Sequence, residues 1–281
     1  MQKTHNVSWF HFSETFRKVC MGALWAVWWG LSTAAMTALA AQAQTNPSTP
    51  VRVKVAAASN LKFVLADLAS QYKQQTGVQV DVNLGASGNL ARQIVQGLPV
   101  EQFISADEAW VAELAKLGRT VDTGQRYAVG RLALIVPKNS ALPLAQGLAA
   151  VVRAMKPGDK FAIANPALAP YGVAAEEALQ RAGVRPWPAA NKVLGDNIGQ
   201  ATQFVATGAA QAGITALALT LAPEIAGSLN SLPLPEDLHA PLHQRMVLLK
   251  GASAAAADWH RFLLSPPAQR VFVRHGYALP Q

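Results

Sequence analysis

The amino-acid sequence predicts an α/β protein made of two sets of strand–helix units, each set folding as a mainly parallel sheet. Three observations predict it. Short β-patterned segments alternate with helical ones along most of the chain, the pattern of a doubly wound sheet. Two compact apolar segments, 132–136 and 246–249, have similar length and stand where the chain would cross from one lobe to the other and back. Hydrophobic residues make up 51% of the 281 and charged residues 14%, which supports a buried core and excludes disorder.

The elements follow in order. Residues 51–55 alternate as a strand and run into Ala56-Ala57-Ala58, after which Ser59 and Asn60 are residue types that cap helices. Leu61, Val64, Leu65, Leu68 and Tyr72 follow at helical spacing, and Gly77 fits the C-terminal cap. Residues 78–84 alternate again, and Gly85-Ala86-Ser87-Gly88-Asn89 turns into a helix through Leu90, Ile94 and Val95. A short strand at 103–105 precedes a helix carrying Trp110, Leu114 and Leu117. Beyond the segment 132–136, residues 161–164 form a strand, 165–171 a loop and 172–182 a helix. Asp196-Asn197 caps a helix with Ile198, Ala201 and Val205 on its buried face, and 212–217 is a further strand. The chain closes with helices around Trp259, Phe262 and Leu263 and around Val271 and Phe272.

The N-terminal 43 residues read as an export signal. Lys3, Arg17 and Lys18 precede an uncharged apolar run over 21–41 that ends in small residues. Two cleavage points satisfy the small-x-small rule, after Ala38-Leu39-Ala40 and after Ala41-Gln42-Ala43. The run is long enough to span a bilayer as a retained anchor, but no basic stop-transfer flank follows it, which favours cleavage. Residues 44–50 are a polar linker. Cys20, the one cysteine, precedes the run, so the mature chain would hold no thiol, no disulfide and no cysteine metal site.

The formal net charge of +8 falls to +6 once residues 1–43, with three basic groups and Glu14, are set aside. There is no run of adjacent Lys or Arg and no aromatic–basic interleaving of the kind that nucleic-acid binding requires. The charge is a diffuse field that mildly favours anions.

Four loops, each entering a helix, carry small or polar residues: Ser59-Asn60, Ser87-Gly88-Asn89, Pro170-Tyr171-Gly172 and Asp196-Asn197-Ile198. Helix N-termini present unpaired N–H groups and partial positive charge, which suits an anion. In open α/β sheets such loops lie at the carboxyl ends of strands, where ligands bind. One such loop alone is ordinarily a plain cap; two from each half of the chain, facing a cleft, would be a binding site. Pro170 has no N–H, so the nearest backbone donor at that turn is Tyr171.

These segments carry a resemblance. Ala56-Ala57-Ala58-Ser59-Asn60, the run from Gly85 through Ile94, Phe103-Ile104-Ser105-Ala106-Asp107, Asn165-Pro166, Pro170-Tyr171-Gly172, the helix over 197–208 and the closing Arg274-His275-Gly276-Tyr277 resemble the periplasmic molybdate-binding proteins of ABC importers, the ModA family. The resemblance covers nearly all of the mature chain, in order. It implies a two-lobed solute-binding protein of type II, with lobe 1 over 51–130, lobe 2 over 131–240, a return to lobe 1 over 241–281 and a hinge of two crossing strands. It further implies a non-enzymatic, monomeric periplasmic protein that needs no cofactor and no bare metal cation. That protein would capture molybdate or tungstate and pass it to a membrane permease. The family's ligand contacts fall on Ser59, Asn60 and Ser87 in the first lobe and on Tyr171 and Ile198 in the second. The second-lobe pair would act through backbone N–H groups, so their side chains would matter less. Two positions depart from the family: Ala216 stands where some members carry a Tyr, and Gln102 where an acid is usual.

Rival readings are weaker. The same scaffold could hold sulfate or phosphate. A serine hydrolase would need G-x-S-x-G around Ser87, and position 89 is Asn. His239 and His243 have the i, i+4 spacing of a zinc helix, but Pro241 lies between them and no Glu follows His239, so they read as two solvated imidazoles in a loop. Asp107, Glu108 and Glu113 read as a solvated helix face. The export reading makes one prediction: N-terminal sequencing of the exported protein should begin at Ala41 or Gln44. A full-length product that stays with membranes after carbonate washing would mean an anchor.

Overall fold

The computed structural model describes residues 51–184 and 191–280. The expected signal segment, its cleavage points and the linker over 44–50 lie outside them.

The first sheet and its helices are β1 (Arg52–Ala58), α1 (Lys62–Thr76), β2 (Gln79–Gly85), α2 (Ser87–Val95), β3 (Gln102–Ile104), α3 (Ala109–Lys116) and β4 (Gln125–Gly130). The chain then enters a second sheet with β5 (Leu132–Pro137), α4 (Leu148–Ala154), β6 (Phe161–Ala164), α5 (Pro170–Arg181) and β7 (Lys192–Gly195). That sheet continues through α6 (Ile198–Ala206), β8 (Ala212–Ala216), the short α7 (Leu217–Thr220) and α8 (Pro223–Ala226), and β9 (Leu229–Pro233). The chain returns to the first sheet as β10 (Leu242–Leu248) and ends in α9 (Ala254–Leu263) and α10 (Pro266–Arg274).

Both sheets have five strands in matching order, β2-β1-β3-β10-β4 and β7-β6-β8-β5-β9. In each, one strand runs against the rest: β10 pairs antiparallel with β3 and β4, and β5 with β8 and β9. The mainly parallel, two-lobed α/β architecture is therefore the observed one. Each reversed strand adjoins a crossing between the lobes. The first crossing is a single residue, Arg131, between β4 and β5. The second is the segment 234–241, upstream of 246–249, which lies within or beside the first sheet. An ion pair between Arg131 and Glu236 links the two crossings, with Nε 2.8 Å from Oε1.

Three strands without a clear sequence signature, β4, β7 and β9, are all sheet edges. An edge strand is covered on fewer sides and need not be apolar throughout. The paired central strands β5, β6 and β8 are almost wholly buried, which is why their apolar runs are legible. Helix α1 packs Val64, Leu65 and Leu68 under the first sheet at zero or near-zero exposure, each contributing about 1.5–3 kcal/mol of burial. Its Tyr72 meets Trp259 edge-on at 5.1 Å, so the closing helices seal the first lobe. Gly77 ends α1 at φ 74°, a left-handed cap that costs Gly little.

The acidic pair after β3 is not a plainly solvated face. Asp107 Oδ1 accepts from Ser105 Oγ and from Trp110 N–H. Glu108 takes Arg126 on both oxygens, at 2.9 and 2.7 Å, and two nitrogens of Arg245 on Oε1, which joins the start of α3 to β4 and β10. Glu113 is exposed as expected. His239 is buried, with Nδ1 2.7 Å from the Ala240 carbonyl, and His243 is the second residue of β10. The helical spacing of the two imidazoles is therefore not realised, and no cluster of metal-ligating side chains occurs among the described residues.

The two guanidiniums, Arg126 foremost, hold the Glu108 carboxyl down to about 2 from an ordinary 4.5. The folded state thus binds fewer protons than the unfolded one between those values, so the added stability is complete above 4.5 and fades as pH falls toward 2. Glu108→Gln should melt below wild type at neutral pH, and thermal scans should find the gap closing across that acidic window.

Candidate anion-binding site

Two parallel strand pairs aim four helix N-termini at one place. β1 pairs β2 with Ala58 beside Gly85, and β6 pairs β7 with Ala164 beside Gly195. Each strand ends level with its neighbour, and the chain leaves each end into a helix. Topologically β1 and β2 correspond to β6 and β7, so the two lobes offer the same construction to the cleft between them.

The cleft closes on a cavity lined by Ala58, Ser59, Asn60, Ser87, Tyr171 and Ile198, with Ala86, Ala106 and Pro170 among the remaining wall. All five expected contact residues therefore meet at one site, and all are buried, Ser59 being the most open at 7%. No Lys, Arg, His, Asp or Glu lines it. The cavity volume is about 10 Å³, far below the ~300–1,000 Å³ of pockets for organic ligands. It suits a small ion.

The backbone donors can be accounted for one by one. Helix α5 opens at Pro170, which has no N–H, while Gly172 and Val173 donate to the Ala169 carbonyl. Tyr171 N–H is the first-turn donor left over among the described residues. The helix begins two residues before the sequence pattern suggests, which is what places Tyr171 in that turn. In α6, Asn197 caps as expected, its Oδ1 accepting from Gln200 N–H at 3.1 Å. Ala201 N–H takes the Asn197 carbonyl and Gly199 N–H reaches Ser59 Oγ. Ile198 N–H remains. The first lobe has the same shortage of acceptors at the openings of its 3-10 turn, Ser59–Leu61, and of α2.

The expected capping role of Ser59 and Asn60 is not realised, because the chain enters a 3-10 turn directly from β1 and neither side chain caps it. Both serines are held by backbone donors instead. Ser59 Oγ accepts from Gly199 N–H of the other lobe at 3.3 Å, and Ser87 Oγ accepts from Ala106 N–H at 3.0 Å. With a lone pair of each hydroxyl so used, its proton is free to point into the cavity. Asn60 differs: its Nδ2 donates to Gln244 Oε1 at 3.1 Å and to Tyr277 Oη at 3.0 Å. Both amide protons are spent away from the cavity, leaving the backbone N–H of Asn60 as its donor.

Ser87 is no nucleophile elbow. Its hydroxyl partner is a backbone N–H, and no histidine lines the cavity. The lobes also touch beside the site, where Gly88 N–H donates to the Leu168 carbonyl at 2.9 Å. A side chain at Gly88 would strike that carbonyl and Trp110, so the close approach requires glycine. Gly88 and Gly199 carry no sequence signal beyond their place in helix-opening loops. Gln244 and Tyr127, which enter the network behind Asn60, carried none at all.

Known proteins resemble the chain in sequence and in fold. The family model for bacterial extracellular solute-binding proteins matches residues 53–278. The chain is 36% identical over 250 residues to the molybdate-binding protein ModA of Azotobacter vinelandii, a match covering 88% of this chain and 94% of that one. It is 36% identical over 235 residues to ModA of Rhodobacter capsulatus, covering 82% and 90%. Among solved structures, the periplasmic molybdate-binding protein of Azotobacter vinelandii superposes with a TM-score of 0.74 at 32% identity, over 82% of this chain and all of that one.

Proposed function

The chain belongs to the family of bacterial extracellular solute-binding proteins, and from that premise we propose that it captures molybdate outside the cytoplasm and delivers it to an ABC importer. The observation that carries the reading is the set of unspent donors, from both lobes, around a small cavity without a charged side chain. Relatives at 36% identity over most of the chain bear the same ligand in their names, which supports it. The protein acts by binding, not catalysis. Its place is the periplasm, reached through a cleaved signal, and it works there as a monomer that meets a membrane permease.

The chemistry of capture follows from the donor set. Ser59, Asn60 and Ser87 would hold the anion from the first lobe, and the N–H groups of Tyr171 and Ile198 from the second. A dianion there would be neutralised by oriented N–H and O–H dipoles and helix ends, with no counter-charge. Closure removes water, and each dipole then acts at low dielectric. The cost of stripping the ion is offset by saturating its oxygens.

Such a site selects by size and protonation. Donors fixed on two backbones cannot follow a smaller ion, so sulfate would leave several under-contacted, each costing on the order of 1–3 kcal/mol. Hydrogen phosphate carries a proton, and a wall of donors has no acceptor for it. Sulfate remains the rival ligand on this scaffold.

Two measurements test the reading. Calorimetric titration should find that Ser59→Ala and Ser87→Ala each lose about 1.5–3 kcal/mol, the worth of a hydrogen bond to a charged group, or roughly 10- to 150-fold in affinity. Unchanged affinity in both would remove the serines from the site. Competition titration at neutral pH should rank molybdate and tungstate together, sulfate far behind and phosphate last. Sulfate within about tenfold of molybdate, a gap of only 1.4 kcal/mol, would overturn the fixed-donor account.

A further inference from the structure

One buried carboxamide joins the two lobes directly behind the cavity. Gln244 lies on β10, fully buried, and does not itself line the cavity. Its Oε1 accepts from Asn60 Nδ2 at 3.1 Å and from Tyr127 Oη at 2.6 Å, both in the first lobe, the Tyr127 proton being shared with the Ser105 carbonyl at 3.0 Å. Its Nε2 donates to Tyr171 Oη at 3.0 Å, in the second. Asn60 and Tyr171 line the cavity, one from each lobe, and their backbone N–H groups are among the donors proposed above. We propose that Gln244 is a positioning residue that holds these two donors in register across the closed lobes.

The direction of the path from Tyr277 through Asn60 and Gln244 to Tyr171 is fixed. Tyr277 Oη donates to the Asn60 carbonyl at 2.9 Å, so toward the Asn60 side chain it can only accept. Asn60 must therefore present its NH₂, and Gln244 must turn its oxygen to Asn60 and its NH₂ to Tyr171. A residue that cannot both accept and donate would break the chain. The backbone is shaped around this carboxamide. The pairing of β10 with β4 shifts register between Gln244 and Arg245, an irregularity of the kind that re-aims a side chain. Gly130, on the adjoining β4 and paired with Leu242, leaves the room: a Cβ there would lie 2.5 Å from Gln244 Nε2 and would overlap the Tyr171 hydroxyl. Gly130 is also the last residue before the first crossing, so the latch sits at the hinge itself.

On this account the Tyr171 side chain is not idle, although its N–H is the group that faces the cavity. The titratable groups around Gln244 are the phenols of Tyr127 from β4, Tyr171 from α5 and, through Asn60, Tyr277, with Asp107 beyond Tyr127. Burial raises all three phenols, so none ionises near neutral pH.

The inference rests on the oxyanion reading, and the test separates the two. Molybdate is titrated into wild type, Gln244→Leu, Gln244→Glu, Tyr171→Phe and the Gln244→Leu/Tyr171→Phe double variant, with melting followed in parallel. Wild type decides the oxyanion reading by itself; if it does not bind molybdate, that reading and the inference fall together. Given wild-type binding, Gln244→Leu and Tyr171→Phe should each weaken it by about tenfold, the measure of the one hydrogen bond to the second lobe that both lose. The double variant should be no weaker than Gln244→Leu, because both remove the same link. Gln244→Glu is the diagnostic case. Its carboxylate can accept but not donate and adds charge beside a dianion, whereas the protonated acid restores the donor. Its affinity should therefore recover as pH falls from about 8 to about 5.5, through the raised pKa of a buried acid, while wild type changes little. Should Gln244→Leu not fold, Tyr171→Phe and Gln244→Glu decide. Affinities within about twofold of wild type, or a Gln244→Glu pH profile parallel to that of wild type, would overturn the proposal.

Discussion

The organising constraint of this molecule is the unsatisfied N–H at the start of a helix. Every helix leaves its first donors without acceptors, and most proteins give them to caps, turns or water. Here the matched ends of β1 with β2 and of β6 with β7 bring four such starts to one cavity. Caps, turns and the Ser59 hydroxyl consume all but one donor in the first turns of α5 and α6. What is left over is a shell of dipoles, and a small anion is the ligand that such a shell fits.

A shell split between two lobes needs something to set its radius. Backbone donors are rigid within a lobe, but their distance across the cleft depends on how the lobes meet. That meeting is defined by Gly88 against the Leu168 carbonyl, by Ser59 against Gly199 N–H, and by Gln244 between Asn60 and Tyr171. Two of the three contacts involve residues that line the cavity, Ser59 in one and Asn60 with Tyr171 in the other. Ligand geometry and lobe geometry are in this way the same set of hydrogen bonds.

Legibility in the sequence followed burial. β6 reads directly from its apolar run because neighbours cover both of its sides. β4, β7 and β9 have weak patterns because edge strands need less apolar surface. The site was legible in its residue types: Ser59, Asn60, Ser87, Tyr171 and Ile198 all stand at helix openings, and all line the cavity. Their roles were less so. Ser59 and Asn60 look like caps and are not, and His239 looks solvated and is buried.

What the sequence determined by itself was local: which segments are strands or helices, where Pro170 removes a donor, where Asn197 supplies a cap, and that no Lys, Arg or His stands in the four loops. These depend on residues a few positions apart, within reach of propensity and periodicity. Tertiary structure decided which donors stay free and what holds the lobes together. Asn60 meets Gln244 across 184 positions, and Ser59 meets Gly199 across 140. A lone Gln in an alternating strand looks like any other, since nothing beside it states which way its carboxamide will face. Only the folded chain, by spending the proton of Tyr277 on the Asn60 carbonyl, determines that direction.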